Sequence, residues 1–373
     1  MKPIRRVSPS RYTAMRGCLL REVWTASGNE PLIPPSPLAE LGSVIHELLK
    51  AAGFGQLEGG GNDKVDRTWL DLVSQTEKRM MLSTLRRQQV PLSRSIPNYE
   101  VRRLRACHRA AEIARDAFRG RGGRPRQSRE HAGYELWVES QDGQVGGYID
   151  RVTMTPDGVV LSDYKSGAVL ISGKGKGPGI LKQAYKDQLT LYAALYQIKC
   201  GSWPVRLEVV PLQGAPTEVA YDPGKAERLL MEASALLRTA NKRIAEVESG
   251  RMEIIGLASP RAEYCRLCLF RPACQAYWLT RSHGAQATWP ADVKGLISEI
   301  TRLRNGKVCM RIAQDEPTKS SCITIRNLTD SVDRHPLLRQ AQPETRVALY
   351  GLDYHYRSAD YTETQDTVIF VNN

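Results

Sequence analysis

The sequence predicts an α/β protein in which a group of short strands lies between helices and a small, separate β domain follows. Three observations predict it. Apolar residues recur at helical spacing up to about residue 118, and the pattern changes to strands and tight turns from Tyr134 to Lys165. Helical spacing then returns, and the chain from Trp289 onward reads as short strands punctuated by turn residues. With 373 residues, the chain is long enough for two or three domains at roughly 150 residues each.

Charge and composition narrow the function classes. Lys+Arg number 53 against 40 Asp+Glu, a formal charge of +13 that favours polyanions, nucleic acid first among them. No stretch approaches the ~18 consecutive apolar residues of a membrane span, so no membrane association is expected. The basic start Met1-Lys-Pro-Ile-Arg-Arg has no apolar run behind it, so no secretory leader and a cytoplasmic location are expected. Eight cysteines in such a chain do not form a disulfide scaffold.

The first ~35 residues read as irregular, with prolines at 31, 34, 35 and 37. Ser36 then Pro37 opens a helix, as N-cap and first helical residue, that runs through Leu41, Ile45, Leu48 and Ala52. Gly53 to Gly61 is a glycine-rich loop, and a helical region follows over about 65–90. A second long helix from about Asn98 to Phe118 places Val101, Leu104, Cys107, Ala111, Ala114 and Phe118 on one face. Ten arginines lie between Val101 and Arg129 against only Glu112 and Asp116. The run reads either as a solvated face or as a lining for a phosphate backbone.

Strands are predicted at Tyr134–Glu139, Val145–Met154 and Val159–Lys165. A four-residue loop, Thr155–Gly158, pairs Met154 with Val159. In an antiparallel ladder the paired numbers keep a constant sum, which sets Asp150 opposite Asp163 with Cβ atoms about 5 Å apart. Lys165 lies two residues on, on the same face. Facing carboxylates repel unless a cation sits between them. Two carboxylates and an ammonium suit metal-assisted phosphodiester hydrolysis: Mg²⁺ or Mn²⁺ prefers oxygen ligands, and the lysine positions water or stabilises developing charge. The bland alternative is an exposed face whose two aspartates are balanced by Lys165. A glycine-rich loop follows at 167–179, then a helix over about 180–197 that carries Gln188 and Tyr192 at i, i+4, with Tyr185 on the same face. Leu207–Leu212 is a strand, and 223–250 is a helix with Leu229, Leu230, Leu236 and Leu237 on its apolar face. Ser172-Gly-Lys-Gly-Lys-Gly-Pro-Gly179 is not a P-loop, because Gly175 follows Lys174 where Ser or Thr is needed.

Taken in order, Gly42/His46, Glu135, Gly147/Asp150, Asp163-Tyr-Lys165-Ser-Gly167 and Gln188/Tyr192 resemble the RecB-like branch of the PD-(D/E)XK nuclease superfamily. That branch includes AddB-type nucleases and the small nucleases of CRISPR adaptation. The resemblance covers roughly residues 8–280. It implies a restriction-endonuclease-like core, a mixed β-sheet flanked by helices, over 1–285, with a helical insertion at about 38–130. It also implies that His46, Asp150, Asp163 and the Tyr164 carbonyl hold the divalent metal and that Lys165 is catalytic. Gln188 and Tyr192 orient the site or touch DNA, while Glu135 binds substrate or supports the fold. DNA that is single-stranded, or has an end or flap, is the implied substrate, with RNA cleavage and a catalytically inactive DNA-binding or assembly subunit as alternatives. No helicase motor is encoded in the sequence, so any processive role needs a separate ATPase or a larger assembly.

Cys265-x2-Cys268-x5-Cys274 is a compact thiolate cluster that needs a fourth ligand. The start Ser8-Pro-Ser-Arg-Tyr12 with Cys18 is similar to the same branch, in which one early and three late cysteines hold a 4Fe–4S cluster as an iron–sulfur staple. The resemblance departs at Leu19, where the family often has Pro. Zn²⁺ is the alternative metal, since it accepts four thiolates equally well. Residues 290–373 read as five strands, Val293–Leu303, Lys307–Ala313, Ser321–Leu328, Thr345–Tyr354 and Thr367–Asn373, punctuated by Gly295, Asn305-Gly306 and Gly351, an OB-like barrel. There Tyr350, Tyr354, Tyr356 and Arg357 form a stacking surface for single-stranded nucleic acid, or else pack the domain.

Overall fold

The computed structural model describes residues 1–120, 133–171, 179–281, 289–314 and 322–372. The chain forms two compact units. The first comprises Met1–Ser27, Pro37–Lys78 and Leu92–Glu253; the second comprises Gly28–Ser36, Arg79–Pro91 and Ile254–Asn373. Among the described residues no helix is long and apolar enough to cross a membrane.

The start of the chain is not irregular. It forms two helices, α1 (Pro9–Gly17) and α2 (Leu19–Ala26). Ser8 and Pro9 stand at the N-cap and first helical position, the same pair that opens the third helix at Ser36-Pro37. That helix, α3 (Pro37–Gly53), buries Leu41, Ile45, Leu48 and Ala52 as its spacing predicts. Next come α4 (Gly61–Met81), the short α5 (Leu92–Ser95) and α6 (Tyr99–Gly120). The apolar face of α6 differs from the predicted one: Ala106, Ala110, Ile113 and Ala114 are buried, while Val101 and Leu104 are exposed. Alanines let the helix approach its neighbours closely, and side-chain volume outweighs hydropathy here.

The central sheet follows, built from β1 (Gly133–Glu139), β2 (Gly146–Thr155), β3 (Gly158–Lys165) and, beyond the two-stranded ribbon β4 (Leu170–Ile171) and β5 (Ile180–Leu181), β6 (Arg206–Pro211) and β7 (Thr217–Glu218). Its order is β1-β2-β3-β6-β7. It is a mixed sheet: β3 and β6 are parallel and the other pairs antiparallel. The parallel pair is joined by α7 (Gln183–Cys200), the crossover such a pair requires. Residues Gln188 to Tyr196 of α7 are all buried, and Gly201 closes the helix in the left-handed conformation at φ 74°. Against α7 packs α8 (Pro223–Glu248), capped by the Asp222 carboxylate, which accepts from the Lys225 amide at 2.8 Å.

In the second unit, α9 (Ala262–Cys265) and α10 (Gln275–Arg281) precede β8 (Val293–Arg302), β9 (Lys307–Gln314), β10 (Cys322–Thr329), β11 (Arg346–Tyr350), β12 (Asp353–His355), β13 (Asp360–Thr362) and β14 (Val368–Asn372). They form a seven-stranded half-barrel sheet, ordered β12-β13-β10-β9-β8-β11-β14, around Val293, Ile297, Met310, Ile312, Ile325, Val347 and Leu349. The single strand predicted over 345–354 is broken at Gly351, whose φ of 71° ends β11. Gly295 is not a turn residue but lies inside β8, paired with Val347 and Gln314. A Cβ there would lie 2.1 Å from the Ala313 carbonyl oxygen, a backbone atom with no room to move. Gly295→Ala is therefore expected to lower stability by about 3 kcal/mol or more in chemical unfolding, well beyond the ~1 kcal/mol typical of point changes.

Candidate active site

The β2–β3 hairpin has the register the sequence predicts, with Met154 opposite Val159, and a tighter turn, because Thr155 also pairs with Gly158. The last paired rung is Arg151 with Ser162. One residue further, Asp150 and Asp163 stand on adjacent strands, where the Asp150 Oδ2 accepts the Tyr164 amide at 2.7 Å. Asp163 is only 3% exposed. Its Oδ1 accepts from Gln188 Nε2 at 2.7 Å, and its Oδ2 lies 2.7 Å from Lys165 Nζ. That ion pair is close but poorly directed, so Oδ2 remains a buried oxygen without a hydrogen bond. Lys165 also donates to Gln188 Oε1 at 3.1 Å and lies 4.9 Å over the Tyr185 ring. Gln188 thus clamps both the carboxylate and the ammonium, one with each end of its amide.

The remaining predicted residues fall around this core. His46 on α3 is held below its ordinary pKa by burial and by Lys165, with Asp163 opposing, so it is a neutral imidazole near both groups. Tyr192 lies one turn beyond Gln188 and is 4% exposed. Burial and the carboxylates of Asp163 and Asp150 push its phenol up, so it stays protonated. Gly147 makes room for it: a Cβ there would meet the Tyr192 hydroxyl at 3.1 Å. Similarly, a Cβ on Gly42 would meet Ser166 Oγ at 3.2 Å, which seats α3 against the end of β3. Glu135 is flanked by the paired rungs Tyr134–Arg151 and Leu136–Ile149, so it stands across from Asp150 on β1. Its φ of 52° interrupts the ladder there, and its charge adds to the load on Asp150. Tyr185, which shares the Gln188 face, is the site residue the i−3 spacing identified without assigning it a role.

Burial, then the Asp163 carboxylate, pushes Asp150 up to about 7, and burial raises Asp163 as well. Ionising both is costly, and the buried Asp163 Oδ2, met only by the Lys165 ammonium and set beside a second carboxylate, suits a hard divalent cation with oxygen ligands. Among the described residues no three His, Cys, Asp or Glu side chains form a ready coordination group. The pair would complete a coordination sphere with His46, the Tyr164 carbonyl and water. A pH dependence follows. Asp150 binds its proton more tightly folded than unfolded, so its contribution to stability falls as pH rises from about 4 to about 7 and stays low above that. The loss is at most about 4 kcal/mol. His46 acts in the opposite sense, since its lowered pKa costs stability as pH falls below 6.5. Asp150→Asn removes the first effect and keeps the second. In EDTA, urea unfolding at pH 5 and pH 8 is expected to show wild type losing stability relative to the variant at the higher pH.

The cysteines divide between the units. Cys18 is the N-cap of α2 in the first; Cys265, Cys268 and Cys274 are buried in the second. Of the proposed stacking residues, Tyr350 is 2% exposed and packs edge-on against Trp278 and Phe370, so it is core. Tyr356 is 70% exposed and stacks edge-on against Tyr354. Residues 172–178 of the basic glycine loop and 121–132 of the arginine run lie outside the described residues.

Compared with known families, residues 6–275 match the model of the PD-(D/E)XK nuclease superfamily. No curated protein matches the chain.

Proposed function

Because the chain belongs to the PD-(D/E)XK nuclease superfamily, we propose that it is a divalent-metal-dependent deoxyribonuclease acting on DNA that is single-stranded or carries an end or flap. The observation that carries this reading is the Asp150–Asp163 pair on adjacent strands with Lys165 2.7 Å from Asp163. Asp150, Asp163, His46 and the Tyr164 carbonyl would hold Mg²⁺ or Mn²⁺, which supplies Lewis acidity at the phosphoryl group and acidifies a water. The Tyr164 amide fixes the Asp150 carboxylate in place. Gln188 keeps the Lys165 ammonium beside Asp163, where it can meet the negative charge that grows on the scissile phosphate. His46 stays neutral and keeps a lone pair for a ligand role. The +13 charge favours binding of the polyanionic strand.

On their sequence pattern alone, Cys18, Cys265, Cys268 and Cys274 are proposed to bind a 4Fe–4S cluster. Iron and sulfide content with absorbance near ~400 nm supports that reading, and stoichiometric zinc overturns it.

The test is cleavage of labelled single-stranded, duplex and flap DNA and of matched RNA, with Mg²⁺ or Mn²⁺ and with EDTA. Metal-dependent loss of the DNA substrates supports the proposal. Cleavage of RNA alone, or binding of DNA without cleavage under every metal condition, overturns it.

A further inference from the structure

Side chains alternate along β2 and β3. Asp150, Asp163 and Lys165 face α7, and Arg151, Ser162 and Tyr164 therefore face the other side of the sheet. There they line a cavity of about 470 Å³ together with Arg206 on β6 and Arg109 and Arg115 on α6. This volume accommodates a nucleotide-sized ligand. The cavity holds four guanidinium groups against the three carboxylates of Glu112, Asp116 and Glu208.

The pairing inside it is incomplete. Arg109 holds Glu112 at 2.9 Å, and Arg206 holds Glu208 at 2.7 Å. Arg109 Nη2 also donates to the Pro211 and Gly214 carbonyls at 3.2 and 3.3 Å, and only its Nε is buried without an acceptor. Arg151 approaches Asp116 at 3.7 Å and the Tyr164 hydroxyl at 3.4 Å, both long. Arg115 donates to the Ala111 carbonyl of its own helix at 3.3 Å. Ser162 is 5% exposed, and its hydroxyl reaches Glu208 only at 3.5 Å. A buried hydroxyl, the long contacts of Arg151 and Arg115, and one excess positive charge form a donor set with capacity for a further acceptor.

We propose that this cavity binds a phosphate dianion, free or as the terminal group of a nucleotide. Planar guanidinium forks match phosphate oxygens two at a time, and the hydroxyls of Ser162 and Tyr164 supply further donors. The site rests on its own donors and not on the nuclease reading, because binding is measured without turnover.

The experiment is calorimetric titration of the full chain, in EDTA, with inorganic phosphate, with dAMP and with deoxyadenosine. Phosphate and dAMP are expected to bind with dissociation constants below about 1 mM, and the nucleoside is not. Tighter binding of dAMP assigns the nucleotide; equal affinities assign the free ion. Arg206→Gln is expected to weaken binding about tenfold, by removing a charge-assisted bond. Glu208→Gln removes the competing carboxylate and is expected to tighten binding several-fold, which a merely unfolded variant does not do. The proposal is overturned if neither phosphate nor dAMP binds, if deoxyadenosine binds as tightly as dAMP, or if Glu208→Gln fails to tighten phosphate binding.

Discussion

Lys165→Ala is expected to reduce metal-dependent DNA cleavage by about 10²–10⁴-fold while leaving DNA affinity within a few-fold of wild type. The ammonium is the only cation that the described residues place within ion-pair distance of Asp163, at 2.7 Å. It is also the group able to meet charge developing on the phosphate. Its removal has a second consequence. Asp163 is 3% exposed, and a buried carboxylate that loses its cation is stabilised only by protonation or by a metal. In EDTA the variant is expected to be less stable than wild type above neutral pH, with Mn²⁺ restoring part of the difference. Cleavage and melting are thereby separable: a variant that is folded in Mn²⁺, binds DNA and does not cut isolates the chemical role. Full activity in that state contradicts the assignment.

Asp292→Ala is expected to destabilise the chain by about 3–5 kcal/mol, read as a shift in the urea or thermal transition. Asp292 is wholly buried in the second unit. It accepts from Arg271 Nε at 2.6 Å and Nη2 at 3.2 Å, from the Tyr277 hydroxyl at 2.7 Å and from the Gly351 amide at 2.9 Å. These bonds join α10, the start of β8 and the turn after β11. Arg271 is 6% exposed, so truncating the carboxylate strands a guanidinium in the interior. Burial and Asp292 push the Tyr277 phenol up, so Tyr277 remains a donor across the accessible pH range and cannot relieve the loss by ionising. Arg271 Nη1 also holds the Cys268 carbonyl at 3.2 Å, so the damage extends into the cysteine loop. A loss below about 1 kcal/mol would mean that the network is redundant.

The hairpin was legible because its signals are local. Thr155-Pro-Asp-Gly158 sets the turn, period two sets the faces, and counting outward brings Asp150 to Asp163. The faces of α6 were not legible, because Ala106 and Ala110 are chosen for close approach and Leu104 is left exposed. Two N-terminal helices escaped a reading weighted toward prolines 31–37, although Ser8-Pro9 carries the same start signal as Ser36-Pro37. Glu22, the buried acid of α2, is neutralised by Arg11 and Arg21, a pairing that no periodicity reveals. For Tyr350 stacking and packing both stayed open in the sequence, because aromatic character alone does not distinguish core from surface. The rear cavity draws its lining from residues 109 to 216, and Asp292 is bonded to Gly351 as well as to Arg271 and Tyr277, so only the folded arrangement brings these groups together.

Mn²⁺ binding to the full chain, followed by electron paramagnetic resonance for wild type, Asp150→Asn and Asp163→Asn, tests whether the two aspartates hold a divalent metal. Wild type is expected to bind Mn²⁺ with an affinity that falls steeply in both variants. Equal Mn²⁺ affinity in all three proteins would contradict that assignment.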